Sequence, residues 1–188
     1  MSFLRRITFL IILLALLPLH AASAQTGVPL DSVLIQILPE FDRPDVLVIM
    51  RMSLSSAVSL PAEMSLRIPR AAGAPYNVAW EDVDGLLYNL AYTTEVQGDW
   101  LKLTFTTPSA NLQVEYYDPR LEREGNLRKF IYEWNGDFSV QNLVVSVQQP
   151  ANAEKMQAYP GFDAGQRLSD GFLYYTNTVG KVEAGTTF

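Results

Sequence analysis

The chain has 188 residues, no cysteine and one histidine, His20, and its fourteen basic residues against twenty acidic ones give a net charge of −6. An acidic surface repels phosphate backbones and anionic lipid headgroups, which excludes nucleic acid as a natural partner. With no thiol anywhere and no imidazole after residue 20, Ser-His-Asp triads, cysteine nucleophiles and zinc sites built on His or Cys are excluded as well.

Residues 1–24 read as a secretory signal, expected to be helical. Arg5 and Arg6 precede an apolar run from Ile7 to Leu19, and Ala22-Ser23-Ala24 supplies a small-x-small cleavage site. The run is shorter than the ~20 residues that span a bilayer as a helix. Left uncleaved it is a membrane anchor instead, and otherwise membrane contact needs a partner segment from elsewhere. Cleavage makes Gln25 the first residue of a secreted or periplasmic chain, a single domain over 25–188. That domain keeps twelve basic and twenty acidic residues, a net charge of −8. It is long enough to bury a core, and without disulfides its stability must come from that core.

Alternation then carries the reading. Val33, Ile35 and Ile37 define a first strand that Pro39 ends, and Val46 to Met50 is an unbroken apolar run that suits the middle of a sheet. Met64, Leu66 and Ile68 alternate between Pro61 and Pro69; Val78 and Trp80 lead into Asp82-Val83-Asp84-Gly85; and Leu86, Tyr88, Leu90 and Tyr92 read as one continuous strand. After a Gly98-Asp99 turn come Leu101, Leu103 and Phe105, then Val114 and Tyr116, then a charged loop from Asp118-Pro119 to Gly125-Asn126. Pro150 sets up a short helix over 151–158. The closing segment, Val182 to Phe188, reads as a strand cut short that lacks a partner.

The strongest local signal lies at 127–148. Phe130, Tyr132 and Trp134 alternate up to Asn135-Gly136, and Phe138 and Val140 follow, the pattern of a β-hairpin. A two-residue loop puts Tyr132 opposite Ser139; an odd loop with a bulge at Gly136 keeps the aromatic row with Phe138 and Val140, and is expected for that reason. The apolar phase slips again between Val140 and Leu143, which predicts a bulge near Gln141-Asn142. The aromatic row is expected to belong to the core.

About ten short strands between Pro, Gly and Asp turns predict an all-β fold, an antiparallel two-sheet β-sandwich of immunoglobulin-like or jelly-roll-like type. The order of a secretion signal, short alternating strands and a closing strand resembles the immunoglobulin-like sandwich ectodomains of bacterial envelope and secreted proteins. The resemblance covers most of 29–188 and implies a fold; with no Cys…Trp…Cys pattern it does not extend to antibody-type domains.

Binding residues are expected on the charged loop, at Arg120, Glu122, Arg123 and Glu124, because loops at the end of a sandwich present ligand-contacting groups. Asp82 and Asp84 resemble the start of a calcium loop, although Asp-Gly is equally a hairpin turn pair and the remaining ligands are missing. Glu122 with Glu124, or Glu115 with Glu133, are the carboxylate pairs that a glycoside hydrolase needs. Trp80, Trp100, Tyr116, Tyr117 and Tyr159 are candidates for a sugar-stacking platform, with core packing as the other reading. No cofactor is implied. The reading that fits these features is a non-catalytic extracytoplasmic module that binds an envelope protein or a glycan, or serves a structural role. A small outer-membrane barrel and a carboxylate-dependent glycoside hydrolase are the alternatives.

Overall fold

Strands form where β-branched and aromatic residues alternate with polar ones, and they stop at prolines and glycines. The computed structural model describes residues 27–188, and the signal segment 1–24 lies outside the described residues. Thirteen strands follow one another: β1 (Leu30–Pro39), β2 (Val46–Leu54), β3 (Ala62–Pro69), β4 (Asn77–Glu81), β5 (Leu87–Asn89), β6 (Tyr92–Gln97), β7 (Trp100–Thr107), β8 (Asn111–Asp118), β9 (Glu122–Glu124), β10 (Leu127–Lys129), β11 (Val140–Gln148), β12 (Gln166–Arg167) and β13 (Leu173–Val182). Among the described residues the only helical piece is a 3-10 turn at Arg70–Ala72. The helix expected at 151–158 is a turn followed by irregular chain. Pro150 fits a first helical turn, but nothing after it forms an apolar helical face to bury.

The nearly all-β chain makes two packed sheets. Eight strands run in the order β12-β13-β11-β1-β2-β8-β4-β5, three in the order β3-β7-β6, and β9 and β10 form a separate ribbon. Val33, Ile35, Val48, Met50, Leu112 and Val114 on the large sheet face Met64, Leu66, Ile68, Leu103 and Phe105 on the small one, in one buried cluster. Each such side chain contributes roughly 1.5–3 kcal/mol when fully buried. One pairing departs from the antiparallel expectation: β1 runs parallel to β11, with Leu30 opposite Val140 and Ile37 opposite Val147. A parallel neighbour needs a long crossover, and here that crossover is most of the chain.

The expected 127–148 hairpin does not form. β10 pairs with β9, β11 pairs with β1 and β13, and 130–138 is irregular chain between them. Its aromatic row still reaches the core: Trp134 and Phe138 are buried, and Phe130 and Tyr132 pack against the cluster. Burial fixed their destination, and the main chain found partners elsewhere. Trp134 exchanges main-chain hydrogen bonds with Phe188 (2.8 and 3.3 Å), and Gly185 donates to the Gly136 carbonyl at 2.8 Å. The closing segment, read as a strand cut short, docks on 134–136 through these bonds. The second expected bulge is present, since the β11–β13 register shifts between Val140 and Leu143. The strand read from Leu86 to Thr93 is split: β5 belongs to the large sheet and β6 to the small one, and the chain changes sheets at Leu90-Ala91.

Gly136 is fixed twice over. Its φ is +72°, and an added Cβ would lie 2.7 Å from the Thr186 carbonyl oxygen and 2.9 Å from Gly185 C. Gly136→Ala is expected to cost about 1–3 kcal/mol and to free residues 185–188. Urea unfolding checks the first part and faster proteolysis of the tail the second.

Candidate functional site

Because side chains alternate across the large sheet, the residues between its core-facing ones share an outer face. Register brings them into rows. Val144, Leu34, Arg51 and Gln113 line up across β11-β1-β2-β8, with Ser146, Gln36, Ile49 and Glu115 in the row on one side and Asn142, Ser32, Ser53 and Asn111 on the other. Arg51 donates from Nε to Gln113 Oε1 at 2.9 Å and from Nη1 to Gln36 Oε1. Gln113 Nε2 in turn donates to Glu115 Oε1 at 2.6 Å. Ser53 Oγ meets Asn111 Oδ1 at 3.1 Å.

Of these groups Arg51, Ser53 and Asn111 border an open groove of about 310 Å³, which Leu34, Val144, Glu81 and Asn142 also line. The volume is at the lower end of the ~300–1,000 Å³ typical of small-ligand sites. Both partners of Arg51 are amide oxygens. Arg51 itself lines the groove, so a charged group belongs to its wall. The groove thus offers donors and acceptors held in place by one another, beside two aliphatic side chains.

The residues expected to bind are arranged otherwise. The charged loop is the β9–β10 ribbon, turned at Gly125-Asn126 and exposed throughout. Its charges tie it to the body. Arg120 holds Asp118 through Nε (3.0 Å) and Nη2 (2.8 Å), and Glu133 through Nη1 at 2.8 Å. The hydrogen bond to Asp118 pushes the guanidinium above its ordinary value, and Asp118 is fully buried. Arg123 reaches Glu40 at 3.5 Å, and Glu122 reaches Lys129 at 3.5 Å. Glu124 is exposed on the ribbon.

Asp82 Oδ1 accepts the N–H groups of Asp84 and Leu86, at 2.9 Å each. The Asp82–Gly85 segment is the β4–β5 hairpin turn, and its leading carboxylate organises that turn. Among the described residues no three His, Cys, Asp or Glu side chains cluster as metal ligands.

Neither carboxylate pair shares a cleft. Glu115 faces the outer sheet beside Gln113, whereas Glu133 is held by Arg120, and Glu122 and Glu124 lie exposed along the ribbon. The five aromatics do not form a platform either. Tyr116 is buried in the core, Trp80 stacks on Tyr88 at 5.0 Å, and Trp100 lies 6.0 Å from the Arg67 guanidinium. Tyr117 is on the outer face beneath Arg43, and Tyr159 is exposed on the irregular 149–165 segment. Burial raises the Tyr116 hydroxyl well above 10.0, and burial followed by the Asp42 hydrogen bond raises Tyr117 to about 12.

A second polar cluster joins the sheets. Asp137 accepts the Arg67 main-chain N–H at 2.7 Å and Arg67 Nε at 2.6 Å. Asn135 donates to the Arg67 carbonyl at 2.7 Å, and its own carbonyl accepts Arg67 Nη2 at 2.9 Å. Asn135 and Asp137 thus act as a substitute strand along the β3 edge. Beside them the buried Trp134 indole N–H has no protein acceptor among the described residues, next to a void of about 10 Å³. That volume suits one water molecule at most.

No protein-family model matches the chain, and no curated protein matches it. Among solved structures it is similar to a candidate protease from Parabacteroides distasonis, at 9% identity and a TM-score of 0.44 over 84% of this chain. The chain spans 36% of that protein's length. That likeness is too slight to transfer an activity or a substrate.

Proposed function

We propose that this protein is an exported, non-catalytic β-sandwich module, immunoglobulin-like or jelly-roll-like, that binds an envelope glycan on the outer face of its large sheet. The observation that carries the reading is Arg51, which lines the groove and is held there by the Gln36–Arg51–Gln113–Glu115 network behind it. Sugar hydroxyls each donate and accept, so a site for them needs both kinds of group at fixed positions. Side chains already held by one another lose little freedom on binding. Leu34 and Val144 supply the aliphatic contact that the C–H faces of a sugar ring require.

Neither alternative draws on a feature of the described residues. A barrel requires strands closed into a ring, whereas the large sheet is open and ends at β12 and β5. A glycosidase requires facing carboxylates in a cleft, and neither candidate pair lines a cleft together.

Arg51→Ala is expected to weaken glycan binding about ten- to hundred-fold, the effect of a charge-assisted hydrogen bond of ~1.5–3 kcal/mol. Its exposed position should leave the thermal midpoint nearly unchanged. The test is a glycan array on the purified protein, followed by calorimetric titration of the best saccharide against wild type and variant. Absence of any saccharide hit, or equal affinity for both proteins, overturns the assignment.

A further inference from the structure

Three of the four sheet edges are guarded. The large sheet ends in strands of two and three residues, β12 and β5. β3 lies between Pro61 and Pro69, and Asp137 and Asn135 occupy the main-chain groups of Arg67 on its free side. β6 is different. It is six residues long, pairs among the described residues only with β7, and is exposed at every position. Tyr92-Thr93-Thr94-Glu95-Val96-Gln97 contains no proline and no lysine and pairs without a register shift, so of the devices that usually stop an edge from pairing it has only the charge of Glu95.

Register identifies which main-chain groups are free. The two-residue Gly98-Asp99 turn makes Gln97–Trp100 a hydrogen-bonded pair, and alternation extends this to Glu95–Lys102 and Thr93–Thr104. The N–H and C=O groups of Tyr92, Thr94 and Val96 therefore point away from β7. The same alternation carried across β7 turns the main chain of Arg67 outward from β3, where Asp137 accepts it.

The side chains of Tyr92, Thr94 and Val96 lie on the face shared with Phe105, Leu103 and Leu101, which is the core side. Yet Tyr92 and Val96 are 37% and 54% exposed. Leu86 and Tyr88, on the chain that leads into β6, are exposed too.

We propose that β6 pairs antiparallel with β6 of a second copy of this chain, about a two-fold axis at Thr94. Charge and sterics select that axis. An axis at Glu95 sets two carboxylates directly opposite, which is repulsive. One at Val96 drives the partner strand into the Gly98-Asp99 turn. One at Thr93 gives up the end of the strand and pairs Ala91 with Glu95. About Thr94, Tyr92 faces Val96 of the second copy, an aromatic–β-branched pair, and threonine faces threonine. Glu95 faces Thr93 of the second copy while staying beside its own Lys102. Each outward N–H and C=O then gains a partner, about six hydrogen bonds in all, and the small sheet becomes a continuous six-stranded one.

Sedimentation of the purified protein tests this. The average mass should rise from monomer toward dimer between about 1 µM and about 1 mM, as a small interface requires. Thr94→Lys places like charges at the axis and should stay monomeric over the whole range. Thr94→Pro should do the same, because the N–H it deletes makes no bond to β7. Thr94→Cys introduces the only thiol, at a paired Cα separation near ~5.5 Å that a disulfide can bridge. Mild oxidation should give a covalent dimer, whereas Thr106→Cys, exposed on β7, should not. A wild type that is monomeric throughout overturns the proposal. So does a dimer that persists in both Thr94→Lys and Thr94→Pro, or equal cross-linking of the two cysteine variants.

Discussion

Replacing Asp137 with alanine is expected to destabilise the fold by about 3 kcal/mol. The carboxylate is the acceptor for two Arg67 donors at 2.6 and 2.7 Å and is itself only 13% exposed. Its removal leaves the main-chain N–H of a strand edge and a half-buried guanidinium without their acceptor. It also loosens the loop that holds Trp134 and Phe138 in the core. Equilibrium urea unfolding gives the magnitude, and Asp137→Asn, which keeps one acceptor, should lose less.

The pH profile separates this group from the rest. Desolvation raises the Asp137 carboxyl above its ordinary 3.8, outweighing the Arg67 and Asn135 hydrogen bonds. Between 3.8 and that raised value the folded state holds a proton that the unfolded chain has released. Asp137 therefore makes stability fall as pH rises through that window. Asp137→Ala should lack that component, and a profile of the same shape in both proteins would refute the assignment.

Arg120→Ala is expected to cost a similar ~3 kcal/mol, because it removes the bidentate partner of a buried carboxylate. Asp118 is fully buried. It keeps the main-chain N–H of residue 120, at 3.0 Å, and loses the guanidinium. The ribbon also loses its tie to Glu133 at 2.8 Å. Glycan affinity, measured below the unfolding transition, should stay at the wild-type value. A variant with unchanged stability and weakened binding would restore Arg120 to the role expected from its place on a charged loop.

Much of the fold is legible where side-chain alternation and turn chemistry agree. The first three strands, the Gly98-Asp99 turn and the Asp82–Gly85 turn are of that kind. At Asn135-Gly136 the two signals part. Asn-Gly is a hairpin pair by local preference, but Gly136 is closed over by Gly185 and Thr186, and Asn135 is engaged by Arg67, 68 residues earlier. Nothing local encodes those contacts. The groove on the large sheet is hidden for the same reason. Arg51 meets Gln113 across 62 residues, and only the β1-β2-β8 register places them together. The charged residues of the ribbon are adjacent in the chain, and there adjacency reflects anchoring.

The parallel β1–β11 pair also bears on the order of assembly. Leu30 lies opposite Val140, some 110 residues further along the chain. That strand sits in the interior of the large sheet, between β2 and β11. Loop closure over such a span is slow, and folding rates fall as contacts become less local. The sheet cannot be completed until β11 has emerged from the ribosome. Until then β1 has only β2 to pair with, and the large sheet lacks its interior parallel partner.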